Sequence, residues 1–370
     1  MGVECLNPWE GKAQKVKNKM ITTRITNISH AFLWIFCCLF SMTGCSLEKG
    51  AAGESYTREV FAMDTYMTLT LYEGEAVSDA TAALDAAVNE IERLDRLLST
   101  GKDDSEVVAL NRNGGGILSE DTRELWESSL EIYRETEGAF DVTIYPVMRA
   151  WGFAGGEFRV PEEGELQELT VRVNSSLVQW EASSGKLTLP GQTELDFGGI
   201  AKGYTGRKLA EILSAHGVKS ALLDLGGNIQ LVGCKPDGSK FKIAIRDPEN
   251  SADAVGVLAL EDTAVVTSGG YERYFEEGGL TYHHIIDPST GCPADRGLSS
   301  VTVVCRDGTL ADGYSTALFI MGTEKAISFW KEHEQMFDAV FVTEEGQIIV
   351  TSGLEKCFTS DRSYRIVRAE

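Results

Sequence analysis

Apolar and polar residues alternate from Arg58 to Tyr72, the two-residue period of a half-buried strand. The pattern then switches to helical spacing over Ala76 to Leu98, where Ala80, Ala83, Leu84, Ala87, Val88, Ile91, Leu94, Leu97 and Leu98 fall on one stripe. A second helix is predicted over Asp121 to Thr136, with Gly138 as its stop signal. Short apolar runs of strand type follow at Leu187 to Leu189, Ser220 to Leu225, Ile229 to Gly233, Phe241 to Arg246, Gly256 to Leu260, Ala264 to Thr267, Ser299 to Val304, Ala339 to Val342 and Gln347 to Thr351. Helical spacing returns at Tyr204 to Ala215, Leu310 to Met321 and Glu324 to Glu332. Strands outnumber helices and often succeed one another across short turns. The expected fold class is therefore α+β, mainly antiparallel sheets with packed helices, in preference to a doubly wound parallel sheet. No repeat or low-complexity linker interrupts residues 56–370, which read as a single compact unit.

The N-terminus has a different pattern. The strongly apolar stretch from Ile28 to Met42 is too short to span a bilayer comfortably and follows Lys12, Lys15, Lys17, Lys19 and Arg24. Basic, then apolar, then small is the order of an export signal. It ends in Met42-Thr43-Gly44-Cys45, which resembles a bacterial lipobox, and a polar, Gly-containing stretch follows at once. The expected organisation is a lipoprotein signal peptide over residues 1–44, a tether over 45–55 lipidated at Cys45, and the functional domain over 56–370. The protein is then exported and lipid-anchored to the outer face of the bacterial cytoplasmic membrane. An ordinary signal peptide or a buried apolar helix is the plainer alternative, and Met20 is a second candidate start.

Charge narrows the partners. With 34 Lys plus Arg against 56 Asp plus Glu the formal charge is −22, and without residues 1–44 (five basic, two acidic) it becomes −25. A body this acidic excludes nucleic acid as an expected partner and does not bind an anionic membrane by itself, so a lipid would have to hold it there. Cys234, Cys292, Cys305 and Cys357 are widely spaced, with no CxxC and no His at metal spacing. They read as buried thiols or a disulfide rather than a zinc site.

Four segments concentrate Gly, Asp, Thr and His beyond what packing requires. Leu195-Asp196-Phe197-Gly198-Gly199-Ile200-Ala201-Lys202-Gly203 reads as a strand end opening through glycines into a helix, where bare N–H groups and a lysine suit a phosphate. It is neither a P-loop nor a dinucleotide fingerprint. Leu223-Asp224-Leu225-Gly226-Gly227-Asn228 alone reads as a tight turn between strands. In Tyr282-His283-His284-Ile285-Ile286-Asp287-Pro288-Ser289-Thr290-Gly291 one histidine is an acid or base candidate. In Ala311-Asp312-Gly313-Tyr314-Ser315-Thr316-Ala317, Asp312 and Thr316 stand four apart and present a carboxylate and a hydroxyl on one helix face, oxygen ligands that suit Mg²⁺. The plainer readings are a glycine turn for the first segment and a helix cap for Asp312.

Together with Met63-Asp64-Thr65, Gly138-Ala139-Phe140-Asp141-Val142-Thr143 and Thr267-Ser268-Gly269 followed by Tyr271-Glu272-Arg273, these segments resemble the ApbE family, the FAD:protein FMN transferases, over nearly all of residues 56 to 355. The resemblance implies an FAD cleft and Mg²⁺-dependent transfer of the FMN half of FAD, through a phosphoester, to a Thr or Ser hydroxyl of a client flavoprotein, releasing AMP. Subunits of membrane respiratory complexes are the kind of client implied. By the same resemblance Asp312, Thr316, the Gly199 carbonyl and Ser315 would hold Mg²⁺. Met63, Ala139, Phe140, Asp141, Asp196, Lys202 and Ile286 would contact FAD. Lys202 would neutralise phosphate charge, and His284 would be the base near the incoming hydroxyl, with His283 as the alternative. Two departures stand out: Gly101 occupies a position where relatives carry an aromatic residue, leaving Tyr66 or Tyr72 as substitutes, and ADGYSTA replaces the common ADALSTA. An FAD pyrophosphatase giving FMN and AMP, and a non-catalytic FAD-binding lipoprotein, are the rival functions.

Overall fold

In the computed structural model, which describes residues 55–72 and 79–369, the alternating run from Arg58 to Tyr72 is two strands rather than one. Met63 and Asp64 take positive φ of 50° and 59°. They form the turn of an antiparallel hairpin between β1 (Ser55–Ala62) and β2 (Thr65–Tyr72). A two-residue loop leaves the alternation intact, so the hydrophobic pattern does not reveal it. The predicted signal, tether and Cys45 lie outside the described residues.

Seven more strands extend this hairpin: β3 (Ser220–Asp224), β4 (Asn228–Gly233), β5 (Ala264–Gly269), β6 (Leu298–Cys305), β7 (Phe337–Thr343), β8 (Ile348–Thr351) and β9 (Tyr364–Val367). The result is a nine-stranded sheet in which spatial order follows chain order. Neighbours run antiparallel, with β8 and β9 the parallel pair. The fold is α+β with mainly antiparallel sheets, as the strand-rich pattern predicts.

Both faces of the sheet are covered, so β6 and β7 are buried almost without a break, Ser300 and Thr302 included. One face carries Val266, Val301, Val303 and Phe341 against Tyr204, Ala311, Tyr314 and Leu318. These last residues belong to α2 (Ala201–Ala215) and α3 (Gly308–Met321), two of the four long helices among the described residues; the others are α1 (Ala80–Leu98) and Glu120–Glu135, which lies where the helix over Asp121 to Thr136 is predicted. The other face carries Val265, Val304, Val340 and Val342 against Phe241, Ile243, Leu258 and Phe358 of a three-stranded sheet. The α1 stripe is buried as its spacing predicts, from Ala80 through Leu98. The described helix begins after Asp79, whose carboxylate accepts from the Ala82 N–H at 2.9 Å.

Two helix starts differ from the sequence expectation, and both bear on chemistry. α2 begins at Ala201, so Lys202 and Gly203 sit in its first turn and not in a loop before it. α3 begins at Gly308 because Asp307 caps it, accepting from the Thr309 N–H at 2.8 Å. Asp312 is therefore not the cap. Short elements that the pattern does not show include the helices Glu106–Asn113, Tyr145–Trp151 and Glu163–Thr170 and a hairpin of Tyr274–Glu277 with Leu280–His283. Cys234, Cys305 and Cys357 are free thiols, and no group of three His, Cys, Asp or Glu among the described residues is arranged to hold a metal.

Candidate active site

α2 and α3 touch at their N-terminal ends because both carry glycine there. A Cβ on Gly203 would stand 2.0 Å from the Gly308 carbonyl oxygen and 2.7 Å from Cβ of Asp312. This approach lets the Gly203 N–H donate to Oδ2 of Asp312 at 2.8 Å. Asp312 is 4% exposed. Burial pushes its carboxyl above the usual carboxylate range, and Lys202 and the Gly203 N–H pull it back.

One turn further along α3, Ser315 and Thr316 meet β5. The Ser268 and Ser315 hydroxyls are 2.8 Å apart, Ser268 lies 3.4 Å from the Thr316 hydroxyl, and Ser315 donates to the Asp312 carbonyl at 2.8 Å. Gly199, at the mouth of α2, lies beside them: a Cβ there would be 3.1 Å from the Phe140 ring and 3.9 Å from Oγ1 of Thr316. The four residues that the resemblance implies as metal ligands are thus brought to one place. The Gly313 of ADGYSTA also has a reason in packing, since a Cβ there would be 2.5 Å from Cδ1 of Ile132. Its neighbour Tyr314 is buried, donates to Glu135 at 2.5 Å and packs on Phe329 and Phe337.

Lys202 is half-buried and makes no ion pair among the described residues. Its charge bears on Asp196, Glu272, Asp312 and His284. Burial pushes the carboxyls of Asp196 and Glu272 up, and Lys202 opposes it in both, with Arg273 also acting on Asp196 and Arg246 on Glu272. Asp196 Oδ1 accepts from the Gly198 N–H at 2.8 Å, which fixes the glycine turn. A lone lysine among raised carboxyls suits an anion that comes with its own cation.

The two histidines separate cleanly. His283 Nε2 pairs with the Ala294 carbonyl at 3.0 Å, Nδ1 accepts from the Ile285 N–H at 3.2 Å, and the ring meets Phe319 edge-on. Both of its nitrogens are engaged. His284 Nδ1 donates to the Arg273 carbonyl at 3.2 Å, and Nε2 has no hydrogen-bond partner among the described residues. Burial, followed by the positive charge of Arg273, pushes His284 down to about 3. With Nδ1 donating to the Arg273 carbonyl, the neutral tautomer leaves Nε2 as a proton acceptor.

The remaining implied FAD contacts fall into two kinds. Met63 lies in the β1–β2 turn, its N–H donating to Asp95 at 3.0 Å, and Thr205 of α2 approaches its sulfur at 3.8 Å. Phe140, 4% exposed, lies beside Gly199, and Ala139 packs against the same core. The Asp141 carboxylate is committed to Thr143 and Ser175: it accepts from both backbone N–H groups and both hydroxyls. Ile286 is 4% exposed within an apolar cluster containing Val147, Trp151 and Leu166. For Asp141 and Ile286 the backbone is the part left to meet a ligand. Of the two tyrosines, Tyr66 is 78% exposed and packs edge-on against Phe61 next to the Met63 turn. Tyr72 lies at the far end of β2 against Phe241, away from the site.

Sequence reasoning assigned no role to Ser268, Arg273 or Asn228, although each stands in a quoted motif. The signal was their place in those motifs; sheet register sets which way Ser268 and Asn228 face, while Arg273 lies in the bend just before the strand Tyr274–Glu277.

Residues 63–341 match the model of the ApbE family. The chain belongs to that family. A protein of Treponema pallidum named FAD:protein FMN transferase is 30% identical over 339 residues, covering 86% of this chain and 92% of its own. One of the same name from Klebsiella pneumoniae is 31% identical over 320 residues, covering 84% and 97%. The crystal structure of the ApbE protein of Thermotoga maritima superposes with a TM-score of 0.77 at 29% identity, covering 84% of this chain and 100% of that one.

Proposed function

We propose that this chain is an FAD:protein FMN transferase that uses Mg²⁺ to move the FMN half of FAD onto a Thr or Ser hydroxyl of a client flavoprotein, releasing AMP. The observation that carries the reading is the convergence of Asp312 and Thr316 on α3, the bare backbone at Gly199, the unpaired Lys202 and the free Nε2 of His284. Family membership and the names of the relatives support it.

The donors fit a hard cation. Asp312, Ser315, Thr316 and the Gly199 carbonyl offer oxygen only, and Gly199 stands in the cradle where a Cβ would press on Phe140. When bound there, Mg²⁺ would neutralise phosphate charge and leave room for water or substrate oxygen in its shell. Lys202 adds a point charge at the N-terminus of α2, whose first N–H groups favour an anion. His284 takes the proton of the client hydroxyl at Nε2, while the Arg273 carbonyl holds its other nitrogen protonated. In the balanced step, the client oxygen forms a bond to the FMN phosphorus, the bridging P–O bond breaks, and AMP leaves with the electron pair.

Export and lipidation at Cys45 belong to the same proposal, because they place the enzyme beside membrane-bound clients. They rest on the N-terminal sequence alone; among the described residues no helix is long and apolar enough to cross a membrane. The deciding experiment incubates the protein with FAD, Mg²⁺ and a threonine-bearing client peptide, followed by mass spectrometry. A peptide carrying FMN supports the reading. Free FMN and AMP without adduct would make the chain a pyrophosphatase, and unaltered bound FAD would make it a carrier.

A further inference from the structure

The turn Leu223-Asp224-Leu225-Gly226-Gly227-Asn228 has so far served only as a link between β3 and β4, yet it ends in an unusual residue. Asn228 is 5% exposed, and its Nδ2 has no hydrogen-bond partner of normal geometry among the described residues. A buried amide N–H₂ left unpaired is destabilising, so its retention calls for a reason.

Sheet register supplies one. Asn228 pairs directly with Val266 of β5, so both side chains point to the helix-covered face. Ser268, two residues on from Val266, points the same way and meets Ser315 and Thr316. Asn228 thus stands in the layer that backs the N-terminal ends of α2 and α3. There it lines a tight buried space with Lys202, Gly203 and Gly308. The nearby acceptor that lacks its full set of donors is the Asp312 carboxyl, held on Oδ2 by the Gly203 N–H. The Asn228 side chain lies close to that carboxyl, short of a hydrogen bond of full geometry. Of the two ends of an amide, the N–H₂ is the one a carboxylate accepts.

We propose that Asn228 is a positioning residue for the metal: its Nδ2 closes onto the Asp312 carboxylate when the cation binds, so that Gly203 and Asn228 together fix which lone pairs of Asp312 face Mg²⁺. Partners that orient a ligating carboxylate in this way are typically worth about 10- to 100-fold in metal affinity. The inference rests on the proposed metal role of Asp312 and deepens it.

The test uses Mn²⁺ as a paramagnetic probe for the Mg²⁺ site. It is titrated into the full chain with FAD present, free Mn²⁺ is counted by electron paramagnetic resonance, and each variant is also melted without metal. Asn228→Ala should bind Mn²⁺ about 10- to 100-fold more weakly, with little change in metal-free melting because an unpaired polar group has been removed. Asn228→Ser, which keeps a small polar group there, should lose less and guards against a misfolded alanine variant. Transfer by either variant should recover at high Mg²⁺ with KM for FAD unchanged. Gln230→Met serves as the control, since Gln230 is 6% exposed on the same face with an unpaired Oε1 and should alter melting without altering Mn²⁺ affinity. Mn²⁺ binding by folded Asn228→Ala as tight as the parent's, or an equal loss in Gln230→Met, overturns the inference and leaves the transferase reading standing. A parent chain that binds no Mn²⁺ overturns both.

Discussion

Gly203→Ala adds one methyl where α2 meets α3. The new carbon would lie 2.0 Å from the Gly308 carbonyl oxygen and 2.7 Å from Cβ of Asp312. Real Cβ contacts essentially never fall under 3.0 Å, so the helices must part by at least 3.0 − 2.0 = 1.0 Å at this point. The nearest obstacle is backbone, so no flexible side chain can absorb the change. Overpacking of this sort costs about 1–3 kcal/mol. A parting of that size also stretches the 2.8 Å bond from the Gly203 N–H to Asp312 to roughly 3.8 Å, beyond hydrogen-bond reach.

Stability and chemistry should therefore fail together, although the added methyl touches no proposed substrate atom. Misplacing a reacting group by about 1 Å can cost on the order of 10²-fold in rate. The assay pairs thermal and urea melting with FMN transfer at saturating Mg²⁺. Gly164→Ala is the control, because its Cβ would meet nothing within 4 Å and its φ is not in the left-handed region. A Gly203→Ala protein that melts with the parent and transfers FMN at the parent's rate would show that the glycine contact neither holds the helices together nor sets Asp312.

Asp312→Ala should abolish transfer and Mn²⁺ binding while leaving a folded protein, measured by circular dichroism; transfer that survives EDTA in the parent would remove the metal from the mechanism. His284→Ala should slow transfer by about 10²- to 10⁴-fold without loss of FAD binding, and His283→Ala should lower melting more than rate, because its nitrogens are spent on Ala294 and Ile285. Since His284 is pushed down to about 3, the parent's rate should show no limb from this group between about pH 5 and pH 8; a bell centred near 6.5 that vanishes in His284→Ala contradicts that environment. Burial pushes Asp121 up, but Arg93 and Tyr204 outweigh it and hold the carboxyl below its usual range, so its contribution is present above the unfolded value and lost as pH falls through the folded one. Arg93→Met should accordingly move acid unfolding to higher pH, and an unshifted midpoint argues against the pair. Cys45→Ala should release the protein from membranes, as fractionation with labelled fatty acid would show.

Much of this was legible in the residue pattern because long periodic segments have few alternatives. The α1 stripe and the apolar runs of β6 and β7 fold where their spacing places them. What the pattern missed are features with no periodic signature. The Met63-Asp64 turn keeps the alternation of its flanking strands, so β1 and β2 look like one strand. The hairpin of Tyr274–Glu277 with Leu280–His283, which presents His284, is short, with exposed Glu276 and Glu277 and two glycines at its tip. The glycine segments were legible as places of close approach, but not what approaches: only the fold shows Gly203 against Gly308 and Gly313 against Ile132. The division of labour between the histidines was also invisible in sequence, since it depends on the Ala294 and Arg273 carbonyls.

The charge pattern supplies the last step. Burial pushes Asp196, Glu272 and Asp312 all above the usual carboxylate range, while Lys202 is the cation common to all three. Carboxyls crowded about one lysine leave little net positive charge for a bare pyrophosphate, whereas a divalent cation held there as proposed would be the largest local charge and would reverse the balance. His284 fits the same arrangement: Arg273 and Lys202 help keep it neutral, so it does not compete with the cation for anionic oxygen. In the proposed mechanism, metal, phosphate and base would thus be linked through charge as well as position. Loss of the cation should accordingly weaken FAD retention as well as rate, which separates this arrangement from a site where the metal serves chemistry alone.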